Sequence, residues 1–103
     1  MVEVYNKAIR DKIPEIIEQT GRRSILKILS NEEFIRELEN KLTEEINEYL
    51  NSKSIEELTD IIEVVYRIAE LRGISLEKLE SLRINKKNER GGFSTNLFLI
   101  QVE

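Results

Sequence analysis

A mainly α-helical bundle is the fold this sequence predicts, and three observations predict it. The apolar residues between positions 31 and 72 recur with a helical period, two Ser-x-x-Glu signals stand where those repeats begin, and the glycines fall between the repeats rather than inside them. The 103 residues suggest one domain spanning 1–103, and a 40% apolar share is enough for a small core. No internal repeat or low-complexity stretch divides the chain.

Taken in order, Pro14 suits the first turn of a helix that runs to about Thr20, because its missing N–H is not needed there, and Gly21 can supply a left-handed stop. "RSILKILS" (23–30) reads as a short strand. Ser30 of "SNEE" and Ser54 of "SIEE" can each satisfy free N–H groups at a helix start, which opens two long helices, roughly 31–52 and 55–72. Gly73 ends the second of these, and Ser75 can cap another helix running to about Asn88. Gly91-Gly92 then breaks the chain before "NLFLIQV" (96–102), a second strand candidate. The segments near 24–29 and 97–102 are expected to pair as a small two-stranded sheet beside an antiparallel helix bundle.

The missing residue types narrow the chemistry. With no Cys and no His, the chain cannot offer a thiolate nucleophile, a Ser-His-Asp arrangement or an ordinary zinc site. Carboxylates, Lys, Arg and hydroxyls remain. The net charge of −4 is unevenly spread: residues 31–60 hold ten acidic and three basic side chains, a local net of −7. That balance argues against a nucleic-acid partner. No run of about 18 apolar residues exists, so no membrane partner is expected and the protein is expected to be cytoplasmic.

"LTEEINEYL" (42–50) places a glutamate where helical periodicity calls for an apolar side chain. With about 100° per residue and Leu38 taken as zero, Phe34, Leu42 and Tyr49 lie within about 40° of it and Glu45 at about −20°, so Glu45 points inward. Glu48 falls on the edge of that stripe and Glu44 just beyond it. In the next helix, Leu58, Ile61, Ile62, Val64, Val65, Ile68, Ala69 and Leu71 cover more than half the circumference, the pattern of a helix buried on two sides. Glu57 shares a sector with Ile61, Val64 and Ile68, and Asp60 sits at its margin. The short link "NSKS" (51–54) makes the two helices antiparallel neighbours and brings Glu45 and Glu48 beside Glu57 and Asp60. Four carboxylates converging in a half-apolar setting suit a hard cation such as Mg²⁺ or Mn²⁺. Singly, each has a plainer use: Glu57 as the capping partner of Ser54, and Glu44 and Glu48 as surface partners of Lys41. Neither explains an inward Glu45.

"EEINE" (44–48) followed by "ELTD" (57–60) resembles the EExxE and ExxD signature of the MazG-like all-α nucleoside triphosphate pyrophosphatases. "YNKAIRDKIPEIIEQTG" (5–21) and "ERGGF" (89–93) are similar to a small single-domain branch related to phosphoribosyl-ATP pyrophosphohydrolase. The resemblance implies a small-molecule nucleotide substrate cleaved between the α and β phosphates, with Glu45, Glu48, Glu57 and Asp60 at the metal-ligand positions and Glu44 as an assisting group or base. It also implies cations for the phosphates; Arg10, Lys12, Lys87 and Arg90 lie beside the motif-like ends, and each has an ordinary solvated role as its alternative. The eight-residue gap "YLNSKSIE" (49–56) leaves little chain to enclose a base. The apolar girth of the second long helix predicts a homodimer or a dimer of dimers. Two other functions stay open: phosphoribosyl-ATP pyrophosphohydrolase of histidine biosynthesis, and a non-catalytic helical dimerisation module.

Overall fold

The computed structural model describes residues 2–103 and contains four helices in the order α1 (Ile13–Gln19), α2 (Asn31–Ser52), α3 (Ile55–Leu71) and α4 (Leu76–Arg90). Each long helix begins as its sequence signal implies. Ser30 accepts from Glu33 N while the Glu33 carboxylate accepts from Ser30 N, a complete capping box on α2. Ser75 accepts from Lys78 N at the start of α4. At α3 only half of the box forms. Ser54 Oγ accepts from Glu56 N, but Ser54 N donates to Ser52 Oγ, which leaves the Glu57 carboxylate free for another role.

The ends are equally local in origin. Gly73 takes φ of +84°, and the bonds Gly73 N to Glu70 O and Ile74 N to Ala69 O close α3 in a Schellman turn. α4 continues to Arg90, two residues past the expected Asn88, and stops where Gly91 takes φ of +84°.

α2 and α3 form the main antiparallel pair, α4 packs only on α3, and α1 packs on no other helix. The core is small. Leu38 of α2 and Val64 of α3 are buried together with Ala8, which arrives on the segment ahead of α1, and Phe34, Leu42, Ile68 and Leu71 pack around them. The N-terminal segment thus contributes a core residue to a hairpin it follows neither in sequence nor in secondary structure.

The expected sheet does not form: among the described residues there is no strand. Ile28 is 98% exposed and Phe98 87% exposed, so the apolar side chains at the middle of each segment lie on no apolar surface. A two-stranded ribbon is marginal without one, and the core here is spent on the helical pair. The far side of α3 is also uncovered, with Ile62, Val65 and Tyr66 exposed beside α4. The chain is correspondingly extended, with a radius of gyration of 18.0 Å, against about 13 Å for a compact chain of this length. No described helix is long and apolar enough to cross a membrane.

Leu38→Ala is expected to cost about 2–5 kcal/mol in chemical denaturation, the range for truncating a buried leucine. Leu82→Ala, on the exposed face of α4, is expected to change the stability of the single chain by less than about 0.5 kcal/mol. Equal effects at the two positions would mean that the core lies elsewhere.

Candidate metal centre

Glu45 is the only charged side chain in the buried set of the described residues, at 6% exposure. α2 carries it inward because the same stripe that buries Leu38 passes through position 45 two turns later. Its Oε1 lies 3.6 Å from Lys41 Nζ, one turn back on the same helix, whereas its Oε2 is buried with no hydrogen-bond donor. Glu57, across the interface in the first turn of α3, likewise has a buried Oε2 with no donor. Asp60 follows one turn later. Taking one carboxylate oxygen from each of Glu45, Glu57 and Asp60, all three atoms lie within 4.8 Å of one another.

Such an arrangement is electrostatically unstable when every carboxyl is ionised. Desolvation raises the pKa of Glu45 first, and the Glu48 charge raises it further, while the hydrogen bond with Glu57 and the Lys41 charge oppose the shift. Glu57 is pushed up to about 7 by loss of water, then by hydrogen bonds it donates when protonated to Glu45 and Glu48, and by their charges. Glu48 itself is exposed on the rim of the group. Its charge raises both neighbours, although the tight three-residue cluster does not include it.

Two cations from the N-terminal segment meet the cluster from outside. Lys7 Nζ donates to Glu44 Oε1 at 3.1 Å, and Arg10 Nη2 donates to Asp60 Oδ1 at 2.7 Å. One short segment therefore ties α2 through Glu44, α3 through Asp60 and the core between them through Ala8. Of the four cations expected at the phosphates, Arg10 is at the cluster. Lys12 is exposed at the N-terminus of α1, and Lys87 and Arg90 line an exposed groove with Gly91, Gly92 and Phe93 at the end of α4, a helix that does not touch α2. Sequence reasoning passed over two participants. Lys41, offered by the sequence only as a surface partner of Glu44 and Glu48, has Glu45 as its i,i+4 partner, a relation visible in the spacing. Ala8, by contrast, gave no signal, because a single alanine in an extended segment has no periodicity.

The donor set fits a hard cation. It offers only carboxylate oxygens, from positions close enough to share one ion, and two of those oxygens are buried without a donor. No family model matches the chain, and no solved structure matches it. An uncharacterized protein of Mycolicibacterium smegmatis is 42% identical over 40 residues, which cover 39% of this chain and 41% of that protein. The matched part is thus less than half of either chain and carries no activity with it.

The raised Glu57 value has a sign. A carboxyl whose folded pKa exceeds the ordinary one contributes stability that is fully present below about pH 4.5 and is lost as pH rises through about 7. The chain has no His, so no other side chain with an ordinary pKa titrates across that window. In EDTA, the melting temperature is therefore expected to fall between about pH 5 and about pH 8, and Glu57→Gln to flatten the fall. A parent profile already flat across this range would contradict the convergence of Glu45 and Glu57.

Proposed function

We propose that this chain is a Mg²⁺- or Mn²⁺-dependent nucleoside triphosphate pyrophosphohydrolase of the MazG-like class. Water is added across the anhydride between the α and β phosphates, which yields a nucleoside monophosphate and pyrophosphate. The observation that carries this reading is the Glu45 carboxylate, buried with one oxygen lacking any donor and facing Glu57 and Asp60 from a neighbouring helix. Lys41 stands 3.6 Å from one oxygen of Glu45 and leaves the other without a partner; an ionised carboxylate buried with so little compensation is costly, and a divalent cation shared with Glu57 and Asp60 would relieve that cost.

Glu45, Glu57 and Asp60 would hold the ion, and Glu48 would complete the oxygen set from the rim. Such an ion, when bound, would neutralise phosphate charge and lower the pKa of a water, and needs only oxygen ligands. Glu44 serves as the proton acceptor once its Lys7 partner is drawn to the substrate. Arg10 meets the phosphates at the cluster, while Lys87 and Arg90 take part only within an assembly of copies, since α4 of the same chain does not reach α2. The uncovered apolar face of α3 and the long radius of gyration support that assembly, a homodimer or a dimer of dimers. The same exposed surface also favours a second reading, a helical dimerisation module without catalysis.

A panel of nucleoside triphosphates, with phosphoribosyl-ATP included, scored for pyrophosphate release with Mg²⁺ or Mn²⁺ tests the proposal. Glu45→Gln is expected to reduce release to the metal-free background while leaving the metal-free protein at least as stable as the parent, since it removes one of the crowded charges. Glu44→Gln is expected to lower turnover more than metal affinity. Near-parental release from Glu45→Gln would sink the proposed site, and failure of Mg²⁺ to raise the parent's melting temperature would favour the dimerisation module. Sedimentation at micromolar concentration is expected to give a dimer or a larger species; a stable monomer would exclude the assembly.

A further inference from the structure

We propose that Arg10 is a resident counter-cation of the acidic cluster, seated on Asp60 in the metal-free protein and displaced from it by a divalent ion, which turns its guanidinium toward the substrate phosphates. The inference rests on the metal-dependent reading above and adds a specific exchange to it.

The geometry of the segment makes the exchange workable. Arg10 Nη2 sits 2.7 Å from Asp60 Oδ1, and Asp60 is one of the three residues whose oxygens converge. The backbone near Arg10 is fixed from both sides. Ala8, two residues earlier, is buried against Leu38 and Val64, and Ile13 N bonds to Arg10 O at 3.1 Å as α1 begins. The side chain is nevertheless 52% exposed, so its tip can swing while its base stays in place.

Charge supplies the driving force. In the metal-free protein the guanidinium offsets part of the repulsion among Glu45, Glu48, Glu57 and Asp60. A divalent ion on the same carboxylates supplies twice that charge and repels the guanidinium at close range. Lys41 is held on Glu45 by its position on the same helix and has less freedom to leave. A phosphate chain offers the displaced guanidinium oxygens that match its two-pronged geometry. Arg10 thereby links occupancy of the metal site to readiness for the anion.

The test measures Mn²⁺ affinity of the full chain without nucleotide, from the electron paramagnetic resonance signal of free Mn²⁺. The parent is compared with Arg10→Ala, with Arg10→Gln, which retains most of the stem, and with Arg67→Ala as a charge control. Arg67 pairs with Glu70 on α3, about 10 Å along the helix from Asp60 and so near one screening length away. Both Arg10 variants are expected to bind Mn²⁺ about two- to fivefold more tightly, the range set by loss of one exposed ion pair, with Arg67→Ala unchanged. With Mn²⁺ saturating, pyrophosphate is expected to bind the Arg10 variants more weakly than the parent. Mn²⁺ binding that is equal or weaker in the Arg10 variants, or an equal gain in Arg67→Ala, overturns the exchange and leaves the metal site standing. Unchanged pyrophosphate binding overturns it as well. A parent that binds no Mn²⁺ overturns both the exchange and the metal-dependent reading.

Discussion

Opposed carboxyls at the α2–α3 interface are the constraint around which the rest of this structure is arranged. Glu45 and Glu57 each bring a buried oxygen without a donor to the same place, and Asp60 adds a third. An apolar pair at those positions would pack with no such penalty, so the fold carries a local instability that only protons or cations can relieve. A proton does so on Glu57, whose pKa is pushed up to about 7 by loss of water and by its carboxylate neighbours. Lys41 and Arg10 do so in part, on Glu45 and Asp60, while Lys7 pairs with Glu44 beside the group.

From that constraint follows the course of the N-terminal segment. It has no regular structure of its own before α1, yet it supplies one of three buried core residues and two cations that bridge to different helices. Ala8 is small enough to let the segment approach the hairpin closely, and the ion pairs on either side set its register. Core packing and charge compensation are thus joined in four residues, Lys7 to Arg10, so a change that loosens one would be felt by the other. The remainder of the chain is organised differently: α4 and the segment after it leave broad apolar surface exposed.

Local signals in the sequence carried most of the helical architecture. The capping serines, Gly73 and the 3.6-residue stripe act within a few residues of where they are read, and α2 and α3 begin and end within a residue of the positions they indicate. The inward turn of Glu45 was legible for the same reason, since it depends only on helical geometry. The two strand candidates were not correctly read, because apolar segments such as "SILKIL" and "LFLIQV" become strands only when a partner and a packing face exist. The pairs Lys7–Glu44 and Arg10–Asp60 span 37 and 50 residues and leave no periodic trace. Glu57 had two competing local roles, cap and ligand, and the bond from Ser54 N to Ser52 Oγ decides against the cap.

Whether the acidic cluster takes a cation is decided by diffraction from crystals grown with Mn²⁺, with data collected near the manganese absorption edge. The expected result is an anomalous peak between α2 and α3, about 2.1 Å from carboxylate oxygens of Glu45, Glu57 and Asp60. No peak there, with Glu45 and Glu57 instead in contact through a shared proton, would contradict the cation site.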